Sequence, residues 1–217
     1  MRYRLIAFDL DGTLVDSVVP TESILNVMRR ERGHPPLAPR QCSTAMSAGA
    51  ETLLRTALSD CSDDLAKDLA EFRARTLAEP VSPNIVFPGV LPLLTALQES
   101  HVPIAICTNK PRRLTKKFLD ETGLGVLVTT FCAGDDPGLA PKPAPAQLAS
   151  VAAKLGATAE TMAFVGDSDT DLRAARAFDT DFYLSLSGYN LGCEDPAVCC
   201  GRFRTFDELF YLLQIGC

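Results

Sequence analysis

Nowhere in the 217 residues is there an unbroken apolar run of the roughly 18 residues needed to cross a membrane. No lysine- or arginine-rich tract is present either, and acidic residues outnumber basic ones 27 to 21, for a net charge of -6. That balance removes the electrostatic footprint of a nucleic-acid binder. The opening "MRYRLIAFDLDG" passes from apolar residues straight into acids without a small-residue cleavage site. Together these absences predict a soluble, cytoplasmic protein with no nucleic acid and no membrane among its partners. Internal repeats and low-complexity tracts are also missing. The eight cysteines lack an export signal, so a disulfide framework is not expected, and Cys199-Cys200 lacks a second CxxC or a nearby histidine to complete a zinc site. Cys107 falls inside an apolar run and reads as a small buried thiol. His34 and His101 read as surface residues.

What is present is enough apolar material, 47% of the chain, to bury a sizeable core. Short β-like runs at Arg4–Asp9, Ile104–Thr108, Val126–Cys132, Met162–Asp167 and Asp181–Leu186 alternate with helical patterns. The helices begin near Val90, Arg112, Pro145 and Asp169, and "FDELFYLLQ" forms the last. This alternation predicts an α/β fold, a Rossmann-like parallel sheet with helices on its faces. The first interval breaks the rhythm, because about seventy residues before Val90 carry helical patterns with little strand signal. A structureless loop of that length is disfavoured. The expected division is therefore a catalytic core of residues 1–17 and 84–217 and an inserted helical cap domain of residues 18–83.

The stretch "IAFDLDGTLVDS" sets Asp9 and Asp11 directly after the first apolar run. Ligands of open parallel sheets bind beyond the carboxyl ends of the strands. Asp9 ends one predicted strand, Thr108 and Asn109 another, and Gly166-Asp167 a third. If these strands are neighbours, Asp9, Asp11, Asp167 and also Asp171 share one small volume and repel one another. Mg2+ is the natural compensation, because it takes hard oxygen ligands from one or two carboxylates and a substrate phosphate. Asp9, Asp167 and a backbone carbonyl near Asp11 would suffice. Thr108 and Asn109 offer a hydroxyl and an amide to phosphate oxygens, and Lys142 brings a cation between stiffening prolines.

The motifs "FDLDGTLVDS", "ICTNK", "PKPAP" and "VGDSDTD", in that order, together resemble the four motifs of the haloacid dehalogenase superfamily. The resemblance implies an α/β core with a cap inserted after the first motif. It also implies that Asp9 is a nucleophile forming an aspartyl-phosphate, that Asp11 is the general acid and base, and that Mg2+ is held at Asp9, Asp11 and Asp167. Lys142 and Mg2+ offset charge, while Thr108 and the backbone amides after Asp9 hold the phosphoryl oxygens. Dehalogenases proper have no alkoxide to protonate and lack the second aspartate, so Asp11 points to a phosphatase. "MSAGAETLLRTAL", "AGDDPGLAPKPAP" and "SGYNLG" further resemble the phosphoglycolate phosphatases. That similarity implies a small phosphate monoester as partner, 2-phosphoglycolate first, with a cap loop at Ser47 to Glu51 reading its organic part.

Substrate contacts are accordingly expected from Thr108, Asn109, Lys110, Lys142, Ser47 and Gly49. Arg40 and Arg55 are weaker candidates for a substrate carboxylate. The protein is expected as a monomer or homodimer. Two other readings stay open: a sugar-phosphate mutase using the same four motifs, and a non-catalytic binding protein of the same fold.

Overall fold

The computed structural model describes residues 2–46, 49–189 and 199–214. Six parallel strands form one sheet: β1 (Leu5–Phe8), β2 (Ile104–Cys107), β3 (Thr130–Cys132), β4 (Met162–Gly166), β5 (Asp181–Ser185) and β6 (Gly201–Phe203), in the order β3-β2-β1-β4-β5-β6. β1, β2 and β4 are buried along their whole lengths, as expected of parallel strands covered on both faces. Alternate residues of β1 go to opposite faces: Ile6 and Phe8 to one apolar layer, Leu5 and Ala7 to the other. The first layer is closed by α5 (Val90–Glu99), α6 (Arg112–Thr122) and α9 (Phe206–Leu212), through side chains such as Leu94, Phe118 and Leu209. α7 (Ala146–Leu155) and α8 (Asp169–Phe178) close the second, through Leu148, Val151 and Leu172. Each fully buried leucine or phenylalanine here contributes about 1.5–3 kcal/mol relative to exposure.

Between β1 and α5 lie α1 (Val18–Glu31), α2 (Ser43–Met46), α3 (Ala50–Ala57) and α4 (Leu65–Ala78). Ile24, Leu25 and Met28 of α1 share one stripe and meet Leu53, Leu54 and Phe72 in a third apolar cluster, separate from the two that cover the sheet. α4 starts where the Asp64 carboxylate accepts the Lys67 N–H at 3.0 Å. The chain segments leading into and out of these helices run side by side. The Asp16 N–H donates to the Ile85 carbonyl (2.7 Å) and the Phe87 N–H to the Leu14 carbonyl (3.0 Å).

The structure differs from the sequence reading in two places. The expected strand Val126–Cys132 is a strand only from Thr130. Gly123 ends α6 in the left-handed region and Leu124–Val126 continue as a 3-10 turn, which leaves Val126 in solvent. β6 was not expected, since three residues at a sheet edge carry too little periodicity to register.

Candidate active site

The strand order reverses direction of growth at β1, and the crevice beside that point is where α/β sheets bind ligands. Asp9 follows β1 and Asp167 follows β4, its immediate neighbour. Gly12 has φ +83°, and a Cβ there would collide with the Asp167 carboxylate, so glycine alone lets the two loops approach this closely. The carboxylates of Asp9, Asp167 and Asp171 come within 4.8 Å of one another. Lys142 enters from the loop before α7, its Nζ 2.8 Å from Asp9 Oδ1 and 2.5 Å from Asp171 Oδ1. Three carboxylates thus face one ammonium in a volume almost closed to water.

The electrostatics follow from that count. Burial pushes the Asp9 carboxyl up to about 7; Lys142 opposes the shift and Asp171 adds to it. Burial, then Asp171 and Asp9, hold Asp167 well above the usual carboxylate range. Burial works to lower Lys142, but Asp171 and Asp9 more than offset it and keep the ammonium charged. Asp9 Oδ1 makes no well-directed hydrogen bond despite its ion pair. Asp167 accepts the Thr13 hydroxyl (3.1 Å) and the Tyr189 N–H (2.8 Å). Asp171 Oδ2 accepts both the Ser168 hydroxyl (2.6 Å) and the Ser168 N–H (3.2 Å), so this acid also caps α8.

The expected site residues meet here in different ways. Thr108 is buried, and its Oγ1 accepts the Lys110 N–H (3.2 Å) while its own proton has no partner among the described residues. Asn109 does not aim its amide at the crevice: Nδ2 donates to the Lys142 carbonyl (2.8 Å) and Oδ1 accepts the Lys142 N–H (2.8 Å), which fixes the lysine loop. Asp11 stands apart from the three clustered acids. It accepts both Lys110 Nζ contacts (2.8 and 2.9 Å) and the Ser17 hydroxyl (2.6 Å), while Lys110 lies 3.9 Å over the Phe118 ring. The Gly12 N–H is engaged by the Val15 carbonyl (2.9 Å) and is not available to a ligand.

Above this floor, the inserted helices contribute Met46, Gly49, Leu53, Phe72, Arg73 and Thr76 to the same cavity. Ser47 lies outside the described residues. Arg40 is not a wall residue: it pairs with Asp16 at 3.0 Å, and Arg55 is exposed on α3 away from the cavity. The cavity cation that the sequence reading missed is Arg73, which has no side-chain partner among the described residues. Its only sequence signal is its place beside Phe72 on α4, which is the signal of any helix-face arginine. Ser17 was also missed as the bonding partner of Asp11, and Tyr189 as the partner of Ser17, the latter because a contact across 172 residues has no local pattern.

Comparison with known proteins gives the family and supports the fold. The family model of the haloacid dehalogenase-like hydrolases matches residues 3–179. A phosphoglycolate phosphatase of Pseudomonas syringae pv. syringae is 37% identical over 211 residues, covering 93% of this chain and 77% of its own. A predicted phosphoglycolate phosphatase from Haemophilus somnus superposes with a TM-score of 0.84 over 99% of both chains, at 24% identity. The HAD-hydrolase YfnB from Bacillus subtilis, solved bound to magnesium, superposes at 0.77 over 99% of this chain and 100% of its own, at 20% identity. The two structures speak for the fold, whereas the family match and the sequence relative place the chain: it belongs to the haloacid dehalogenase-like hydrolases.

Proposed function

We propose that this hydrolase is a magnesium-dependent phosphatase of small phosphate monoesters, with 2-phosphoglycolate the first substrate to test. The observation that carries the reading is the buried excess of charge, three carboxylates against one ammonium, at the mouth of the switch point. A divalent cation is the ligand that balances it. The donor set suits magnesium: Asp9 Oδ1 lacks a directed hydrogen bond, and the hard carboxylates of Asp9 and Asp167 lie within reach of one ion. Asp171 already serves Lys142 and Ser168, and Asp11 is turned to Lys110 and Ser17. Asp9 and Asp167 are therefore the side chains that would hold the ion, with Asp11 near it by its backbone only. Bound there, magnesium would neutralise the approach of phosphate to carboxylate.

This chain's own groups would then divide the chemistry. An Asp9 carboxylate oxygen forms a bond to phosphorus as the ester P–O bond breaks, and Asp11 gives the departing alkoxide its proton. Water next attacks phosphorus, loses its proton to Asp11 and releases phosphate from Asp9. Lys142 holds Asp9 in its orientation, and the uncommitted Thr108 hydroxyl donates to a phosphoryl oxygen. Lys110 must leave Asp11, at least in part, when that carboxylate takes a proton. In this reading residues 18–83 act as a cap over the core of residues 1–17 and 84–217, and Gly49, Phe72 and Arg73 meet the organic part of the substrate.

The test is a panel of phosphate esters assayed with magnesium and with chelator, scored for inorganic phosphate and for the alcohol. Release of both from small esters, and none in excess chelator or in Asp9→Asn, is the expected result. Isomerisation without phosphate release would replace the reading with a mutase, and binding without turnover would replace it with a non-catalytic role.

A further inference from the structure

The hydroxyl of Tyr189 lies 3.1 Å from the Ser17 backbone nitrogen and 2.9 Å from Ser17 Oγ, and Ser17 Oγ lies 2.6 Å from Asp11 Oδ1. Both Tyr189 and Ser17 are buried. Proton counting fixes the direction of this chain. The Ser17 N–H can only donate, so the tyrosine oxygen accepts it. Ser17 has a single hydroxyl proton, which goes to the Asp11 carboxylate, so the tyrosine O–H must point at Ser17 Oγ. The resulting relay runs from Ser17 N–H to Tyr189 hydroxyl, to Ser17 hydroxyl, to Asp11.

One feature argues that the relay serves Asp11 rather than the helix it adjoins. Ser17 occupies the N-cap position of α1, where serine normally accepts an N–H from the first helical turn. Here its side chain makes no such bond and is turned to Asp11 instead. The Tyr189 main chain separately donates to Asp167 at 2.8 Å. One residue thus reaches Asp167 directly and Asp11 through Ser17, by different atoms.

Resting on the phosphatase reading, we propose that Tyr189 is a positioning residue: its hydroxyl, acting through Ser17, holds the Asp11 carboxylate where it can give a proton to the leaving group. Lys110 also holds Asp11, through both carboxylate oxygens, and cannot replace this bond, because its ammonium must release the acid during turnover.

Leaving-group dependence separates positioning from packing. p-Nitrophenolate departs without a proton, whereas an alkoxide needs one, and kcat/KM reports the steps up to phosphoenzyme formation. Tyr189→Phe keeps the ring and the backbone bond to Asp167. It is expected to lower kcat/KM for an alkyl phosphate by roughly 10- to 100-fold, to change p-nitrophenyl phosphate by less than about 3-fold, and to leave the magnesium half-saturation unaltered. Ser17→Ala should reproduce the pattern, and combining the two, or adding Tyr189→Phe to Asp11→Asn, should add little. Equal losses on both esters, or an undiminished loss in the Asp11→Asn background, would overturn the proposal and leave the hydroxyl a packing role. A second measurement is independent of turnover: the Ser17 hydroxyl proton, bonded to a carboxylate, should resonate downfield and shift in Tyr189→Phe. An unshifted proton overturns the relay, whereas a shifted proton in a wild-type protein that cleaves no ester indicts the phosphatase reading alone.

Discussion

The Nζ of Lys142 stands 2.5 Å from Oδ1 of Asp171, and both side chains are sealed from solvent. Removing a buried charge's sole partner costs about 3–5 kcal/mol, but Lys142 without Asp171 would still face Asp9 at 2.8 Å, so the loss should be smaller. With saturating magnesium present, so that carboxylate repulsion does not mask the effect, Asp171→Ala is expected to lose about 2–3 kcal/mol in urea denaturation. Ser168→Ala removes the helix cap and the hydroxyl bond to Asp171 but no charge, and should cost about 1 kcal/mol. Equal costs for the two would mean that Asp171 matters to the helix alone.

Crowding of acids also gives the metal-free protein a pH dependence with a definite sign. Burial raises Asp9 to about 7, and Asp167 well above the ordinary range, so the native state holds protons that the unfolded chain would release. A native state richer in protons loses stability as pH rises. That stabilisation is complete below about pH 4, where unfolded carboxyls also bind protons, and for Asp9 it is lost as pH rises through about 7. Thermal melts in chelator should therefore fall from pH 5 to pH 8, and the magnesium-induced gain in Tm should be larger at pH 8. Asp9→Asn removes one of the three charges. It should flatten the decline while abolishing turnover; identical profiles for variant and wild type would contradict the charge count.

The acids were legible in the sequence and several of their partners were not, for a physical reason. Asp9 and Asp167 each end a continuous apolar run, so the strand that places them is written beside them. Lys142 and Asp171 stand in the stretches "PKPAP" and "VGDSDTD" that carry the family resemblance. Asn109 shows the limit of this reasoning. Its position was foreseen, but its amide is consumed by the Lys142 backbone, a pairing that only the folded loops define. Arg40 was singled out for its charge, yet Asp16 neutralises it at the entrance to the helical insertion. Tyr189 stands in the quoted "SGYNLG", but its role, like that of Arg73, depends on tertiary packing. β6 was missed because three residues at an edge lack a period.

Gly49 tests whether the inserted helices set selectivity. It lines the cavity with φ +93°, at the start of α3, and a Cβ there would meet nothing within 4 Å. Gly49→Leu therefore adds bulk to open space over the acids, with some backbone strain from the positive φ. The expected result is a drop of roughly 10-fold or more in kcat/KM for the smallest good substrate, with magnesium half-saturation unchanged because Asp9 and Asp167 are held by the core strands. Uniform activity on every ester, before and after the change, would show that this loop does not read the substrate.

Arg73 tests what kind of organic group the cavity favours. Lys142 is committed to Asp9 and Asp171, Lys110 to Asp11, and among the described residues the Arg73 guanidinium alone of the cavity cations has no partner. Its neighbours on the roof, Met46, Leu53 and Phe72, are apolar and offer a substrate carboxylate no hydrogen bond. An ester carrying a second anionic group would thus gain a charge-assisted bond from Arg73, whereas an ester with a neutral tail would gain none. Because the side chain is exposed, solvent screens the interaction and the effect should be modest. Arg73→Gln is expected to raise KM for 2-phosphoglycolate by roughly 5- to 20-fold while kcat holds, and to leave a neutral-tailed ester such as ethyl phosphate within about 2-fold. Ionic strength should act on the wild type in the same direction, weakening the acid-bearing ester first. If both esters lose equally, Arg73 supports the helix and does not select the substrate.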